Sequence, residues 1–302
     1  MELIKPGTNF DFIRFRWIAL GISWALIAIG IFSLILRGGP NYGIDFSGGV
    51  MVHLRFPQVQ SLNQIREALS SVHLGDATIQ DFGTGGTEFL VRLPVTSSET
   101  QGITDTLTRA LEQEFGKDHF EVLRVELVGP RVGQELRQRA MLAVLFSTLL
   151  MGSYIWFRFE FRFGVGAAVA LVHDVLIAVG ALSLFNYEID LTVVAALLTV
   201  VGFSVHDTVI VCDRIRENMR KGGRRDSMGA IINRSINETL SRTVLTTGTA
   251  ILVVLSLFLL GGNVIRGFAF TLLIGFIIGT YSSIYIASPI VLWMERSPAR
   301  RR

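Results

Sequence analysis

Residues 191–212 read LTVVAALLTVVGFSVHDTVIVC, a run whose only ionisable side chains apart from the closing Cys212 are the adjacent pair His206-Asp207. The hydrocarbon of a bilayer is about 30 Å thick and a helix rises about 1.5 Å per residue, so roughly 20 residues of this kind cross it. Lipid offers no hydrogen-bond partners to the backbone, so such a segment must be helical. An acid inside it costs several kcal/mol, faces protein rather than lipid, and has a reason to be there. The stretch therefore predicts a membrane helix with polar business in its interior.

Five further apolar segments share its length class: residues 17–36, 141–157, 163–185, 244–260 and 267–293. Only 163–185 carries an acid or a histidine inside, at His173-Asp174, and the other four hold no charged group. The first segment reads as a retained anchor. Its apolar run exceeds the usual 7–15-residue core of a signal peptide, and no small-x-small cleavage site follows in Arg37-Gly38-Gly39-Pro40. Composition agrees with six spans. The 302 residues are 50% apolar and 18% charged, with a mean hydropathy of +0.49. Soluble chains carry about 25% charge, so an ordinary soluble enzyme is disfavoured, and so is disorder. The single cysteine, Cys212, excludes an intramolecular disulfide framework and a cysteine-cluster metal site.

Charge is unevenly placed. Residues 38–136 hold 7 basic and 13 acidic side chains, although the whole chain is +3. Basic residues of the short links mark the cytoplasmic side of a membrane protein. Here they are Lys5, Arg14 and Arg16 before the first span, Arg158 and Arg162 between the second and third, the cluster from Arg214 to Arg242 between the fourth and fifth, and Arg296 with Arg300–Arg302 after the sixth. This predicts cytoplasmic N and C termini, with residues 38–136 outside. The organisation expected is 1–37 as tail and first span, 38–136 as an outer domain, and 137–302 as spans two to six with their links and basic tail.

The outer segment has the marks of a small α+β domain. Val50, Val52, Leu54 and Phe56 alternate with Met51, His53 and Arg55, a strand with one face buried. Ser61-Leu62-Asn63-Gln64 and Ser98-Glu99-Thr100-Gln101 are capping-box patterns that open helices. The second helix shows Ile103, Leu107, Leu111 and Phe115 at spacing four. Short strands are expected over 78–82, 88–93 and 120–127. The order β-α-β-β-α-β is that of a ferredoxin-like sandwich. The expected fold class is thus an α-helical membrane protein with six transmembrane helices and a ferredoxin-like α+β periplasmic domain between the first two. The sequence points to no enzyme chemistry, cofactor, metal or nucleic-acid partner.

Inside the spans, Asp174 and Asp207 each follow a histidine. A carboxyl group in low dielectric favours its neutral form, which lets it load and release protons near neutral pH, so one reading is a proton relay. The other is structural, with each acid bonded to hydroxyls or backbone to fix helix packing. Arg242 heads Arg242-Thr243-Val244-Leu245-Thr246-Thr247, an arginine with hydroxyls at the mouth of the fifth span. It reads either as a partner for Asp207 across consecutive helices or as an ordinary flanking cation. The histidines read as packed side chains, and Asp213 with Arg214, Arg216 and Glu217 as a solvated helix end.

Several motifs resemble one known family. Gly43-Ile44-Asp45-Phe46-Ser47-Gly48-Gly49 after the first span is similar to the G-x-D-x-x-G-G signature of the SecD and SecF protein-export subunits. Val128-Gly129-Pro130 resembles their V-G-P motif, residues 202–218 their fourth-span signature, and Leu240-Ser241-Arg242-Thr243 their fifth. Six spans and one small outer domain fit the SecF members. The resemblance implies a subunit that pairs with a SecD-like protein in a twelve-span assembly of the resistance-nodulation-division type in the bacterial cytoplasmic (inner) membrane. It implies work beside the SecYEG channel, with a YajC-like protein, downstream of SecA, on preproteins, driven by the proton gradient. It places proton passage at Asp207 and Arg242; the reading of the residues adds Asp174 to the proton relay, with His206, Thr246, Thr247 and Asp213 as supporting candidates. His206 departs from the family, whose members commonly carry asparagine there. The competing readings are a half-size proton antiporter for small molecules and a passive membrane scaffold.

Overall fold

The structure is a computed structural model describing residues 9–72, 74, 77–82, 85–93, 100–117, 119–221, 226–262 and 264–296. Along the chain run α1 (Arg16–Leu36), the single turn α2 (Ile44–Ser47), β1 (Gly49–Arg55), α3 (Leu62–Ser70), β2 (Thr78–Asp81), β3 (Glu88–Leu93), α4 (Thr100–Phe115), β4 (Glu121–Val128), α5 (Pro130–Arg158), α6 (Phe161–Leu184), α7 (Leu191–Lys221), α8 (Met228–Leu260), α9 (Arg266–Ser282), a π-turn at Ser283–Ala287, and α10 (Ser288–Arg296). Six of these helical segments are long and apolar enough to cross a membrane: α1, α5, α6, α7, α8, and the stretch from α9 into α10.

α5, α7 and α8 run well past their apolar stretches into charged sequence. Hydropathy marks what lipid tolerates, whereas a helix continues as long as one face finds something to bury. The extensions of α7 and α8 do so: Ile215, Ile231, Ile232 and Ile236 are buried in a common core. Arg214 on α7 adds a bond to Glu238 on α8 at 2.6 Å.

The chain divides into two compact units, with boundaries at Asn41/Tyr42 and Met141/Leu142. In the helical unit α9 packs against α6, α7 and α8, and α1 packs against α6. The α1–α6 crossing is glycine on glycine. A Cβ built on Gly30 would stand 2.7 Å from the Cα of Gly180, so only hydrogen fits at that point. Near it Ser33 and Ser183 join hydroxyls at 2.9 Å.

The second unit is built on an antiparallel sheet in the order β2-β3-β1-β4. β1 lies between β3 and β4, with Val52 opposite Val91 on one side and Val125 on the other. The alternation read from the sequence is the observed one: Val50, Val52, Leu54 and Phe56 are buried with Ile65, Leu69, Leu107 and Leu111. The capping box at the start of α3 is formed, with the Ser61 hydroxyl accepting from the Asn63 amide and Gln64 reaching back to the Ser61 amide. The pattern proposed at Ser98-Glu99 lies outside the described residues.

Candidate functional site

α7 carries Asp207 into the middle of the helical unit, where it is 1% exposed. Its Oδ2 accepts from the Thr247 hydroxyl of α8 at 3.2 Å and from the Thr280 hydroxyl of α9 at 3.1 Å. The two threonine oxygens are 2.8 Å apart, so three helices meet at one carboxylate oxygen. Oδ1 is buried and has no hydrogen-bond partner among the described residues. The same holds for the hydroxyl of Thr243, one turn before Thr247 on α8. A buried acceptor left unmade costs about 1–3 kcal/mol, more when charged. A proton placed on Oδ1 removes the charge and turns that oxygen into a donor.

Asp174 on α6 is just as buried but fully engaged. Its Oδ1 meets His173 Nδ1 at 2.9 Å, and its Oδ2 accepts from Ser204 of α7 at 2.5 Å and Ser282 of α9 at 2.8 Å. Ser204 precedes Asp207 by about one turn on α7, while Thr280 and Ser282 flank Tyr281 at the end of α9. The two acids are thus served by neighbouring positions of the same two helices. The π-turn Ser283–Ala287 follows directly, and π-bulges are frequent at functional sites.

Other candidates fall elsewhere. Arg242 forms no hydrogen bond or ion pair with Asp207 among the described residues. It is exposed and lines a cavity of about 580 Å³ with Tyr154, Arg158, Asp213, Glu217 and Glu238, beside the charged extensions of α7 and α8. The direct pairing expected across consecutive spans is therefore absent. The reason is axial: Arg242 lies five residues before Thr247, about 7.5 Å along the helix. Thr246 returns its hydroxyl to the carbonyls of Arg242 and Thr243. His206 points outward, while His173 is 5% exposed. Sequence reading missed Thr280, Ser204, Ser282, Ser23 and Tyr281. The available signal was Thr280-Tyr281-Ser282-Ser283, four consecutive polar side chains inside an apolar span.

The glycine motifs interlock in the smaller unit. Gly43 caps α2 and its carbonyl accepts the Ser47 hydroxyl at 3.0 Å, with Asp45 in the first turn. Gly48 sits at φ +72°, and a Cβ there would lie 2.7 Å from the Cα of Pro130. One on Gly133 would lie 2.9 Å from the Gly48 amide nitrogen. Gly48-Gly49 and Gly129-Pro130 are therefore two halves of one contact, where β1 begins and α5 starts with proline at its first position.

Residues 106–297 match the model of the protein export membrane protein SecD/SecF, C-terminal, and residues 33–56 that of the SecD/SecF GG motif. The chain belongs to the SecD/SecF family. Among its relatives, the protein translocase subunit SecF of Desulfurispirillum indicum is 49% identical over 94% of this chain and 92% of its own length. That of Escherichia coli O157:H7 is 41% identical over 97% and 90%. Of solved structures, SecDF from Thermus thermophilus matches with a TM-score of 0.85 at 38% identity over 96% of this chain, and a SecDF in a super-membrane-facing form with 0.68 at 38% over 98%. This SecD/SecF chain spans 39% and 40% of those two SecDF chains.

Proposed function

We propose that this chain is a proton-driven accessory subunit of the Sec translocase that promotes export of preproteins across the bacterial inner membrane. It acts with a SecD-like subunit beside the SecYEG channel, with a YajC-like protein, after the push by SecA. Its termini are cytoplasmic. Residues 38–136 form a ferredoxin-like domain on the periplasmic side, a reading supported by the β-α-β-β-α-β order and the strand sequence β2-β3-β1-β4. The role is mechanical rather than enzymatic.

The observation that carries the reading is the buried, unpartnered Oδ1 of Asp207. A purely structural acid would have both oxygens satisfied. Asp207 is instead poised to take a proton. In its charged form it holds Thr247 of α8 and Thr280 of α9 as donors. Protonation removes the charge that strengthens those bonds, and the three helices it joins are then free to shift. Arg242, in the open cavity near one end of the same helices, acts on Asp207 through space, and Asp213 shares that cavity as an exit group. The gradient supplies about 2.3 kcal/mol per charge per 100 mV, enough to break bonds of this size. That movement drives the outer domain, which grips or releases an emerging chain.

Asp207→Asn tests the proposal. In inverted vesicles containing the assembled complex, gradient stimulation of preprotein export should vanish while complex formation persists. Undiminished stimulation overturns it.

A further inference from the structure

The second buried acid sits at the head of a hydrogen-bonded chain whose proton positions are determined by counting. Tyr281 of α9 donates its single hydroxyl hydrogen to the carbonyl of Ala19 in α1, at 2.5 Å. Its oxygen also lies 3.0 Å from the Ser23 hydroxyl. With the tyrosine hydrogen already committed, Ser23 must be the donor in that bond. A serine hydroxyl has one hydrogen, so at its remaining contact, 3.0 Å from His173 Nε2, Ser23 is the acceptor. Nε2 therefore carries a hydrogen.

The consequence reaches Asp174. Its Oδ2 accepts from the Ser204 hydroxyl at 2.5 Å and from the Ser282 hydroxyl at 2.8 Å, the latter also lying 3.1 Å from the Gly279 carbonyl, and with both serines donating the acid's own proton is left to Oδ1. Its Oδ1 faces His173 Nδ1 at 2.9 Å, a distance that requires one hydrogen between them. Either the histidine is doubly protonated against a carboxylate, or a neutral Nε2–H histidine accepts from a carboxylic acid. Both arrangements contain the same number of protons and have zero net charge. The singly charged alternative, a carboxylate beside an Nδ1–H histidine with bare Nε2, would leave the oxygens of Ser23 and Tyr281 in contact with no hydrogen between them once Ser23 turned to Nε2.

We propose that His173 and Asp174 are a proton-binding site that holds one proton as a net-neutral pair, and that the loaded pair clasps α1 onto α6 and α9. When the proton leaves, Nδ1 keeps its hydrogen, Asp174 becomes a lone carboxylate, and Nε2 becomes an acceptor. Ser23 then rotates its hydrogen to Nε2, and its bond to Tyr281 is lost. The groups facing the pair are Ser23 of α1, Ser204 of α7, and Tyr281 and Ser282 of α9. Tyr285 lies tilted beyond Tyr281 with ring centroids 5.2 Å apart, and Asp207 is the nearest acid along α7. Among the described residues no ion pair brings a cation to Asp174 other than His173 itself. His173 is a positioning residue in this account: it fixes where the proton rests and passes its presence to α1. The proton count is independent of the export role, and only the use of the clasp rests on the proton-driven reading.

The test is the histidine ¹⁵N spectrum of the full chain in lipid nanodiscs by solid-state nuclear magnetic resonance. The His173 resonances are assigned by correlation to the backbone of Val172 and by their disappearance in His173→Gln. Near neutral pH, Nε2 of His173 should be protonated. In Asp174→Asn, whose amide donates as the carboxylic acid does, His173 should be the neutral Nε2–H tautomer. A bare Nε2 with a protonated Nδ1 in the wild type overturns the proposal. A second readout follows the clasp itself. With Cys212→Ala, cysteines at Ser33→Cys and Ser183→Cys report α1–α6 closure by disulfide formation. Raising the pH should lower the yield relative to the same pair in an Asp174→Asn background. Equal yields in both backgrounds across the range overturn the coupling to α1. Loss of export with the ¹⁵N result intact would fault the functional reading and leave the pair standing.

Discussion

Asp207 and Glu88 show two opposite treatments of a buried or half-buried acid. Glu88 bridges β3 to β1, with Oε1 accepting from Arg55 Nε at 2.9 Å and Oε2 meeting His53 Nε2 at 3.0 Å. Burial pushes its carboxyl up, but the bonds from Arg55 and His53 outweigh that and hold it below the ordinary 4.5. A lowered value means that the stabilisation is present above pH 4.5 and is lost as pH falls through the lower folded value. Amide-exchange protection factors at Val52 and Val91 in the full chain should therefore decline in that acid range, and Glu88→Gln should remove that part of the decline. The effect is below about 1 kcal/mol because the pair is partly exposed. Among the described residues Asp207 has only its two threonine donors. Thr280→Val should cost about 1–2 kcal/mol of stability in detergent-solubilised chain, read by thermal unfolding, because one oxygen then keeps a single bond. An unchanged melting temperature would show that water already replaces the hydroxyl.

At the level of elements, the glycine motifs divide into positions that need hydrogen and positions that do not. Gly48 combines a positive φ with a Cβ approach of 2.7 Å to Pro130. Gly129, in the partnering motif, has an ordinary φ and nothing within 4 Å of a built Cβ. Gly48→Ala should destabilise the smaller unit by about 1–3 kcal/mol, whereas Gly129→Ala should be nearly neutral. Limited proteolysis of the full chain measures both, and equal sensitivity would mean that the contact is not what the motif protects. A second junction ties elements in the helical unit. Arg162 at the start of α6 is 6% exposed and pairs with Glu160 at 2.8 Å and with Glu295 of α10. A buried cation with two carboxylates is expensive to break from one side, so it holds the end of the last span to the start of the third.

For the whole molecule, the governing fact is charge sorting across six spans. The segment 38–136 is acidic while the short links and tails, which the proposed topology puts on the opposite side, are basic. Cys212 is 3% exposed, so the native thiol gives little labelling background. A cysteine at Gln113→Cys in intact spheroplasts should react with an impermeant maleimide, and one at Lys221→Cys only after the membrane is opened. The reverse pattern would invert the topology and with it the direction in which protons reach Asp207.

Hydropathy, capping and strand alternation depend on residues within a few positions of one another, so the six spans, the box at Ser61 and the buried face of β1 were legible in the order of the amino acids alone. So was the presence of two acids where lipid should be. Of the hydroxyls that meet them, Thr247 was a candidate and the rest were not. Thr247 and Thr280 reach Asp207 from 40 and 73 residues away, and Ser23 reaches His173 from 150. Those distances close only when the helices pack, and the packing also turned Arg242 out into the cavity and left one oxygen of Asp207 bare. A span can be recognised from its own residues, because solvent transfer is a local energy. A proton site depends on which donors face which oxygen, and the positions of α6, α7, α8, α9 and α1 decide that.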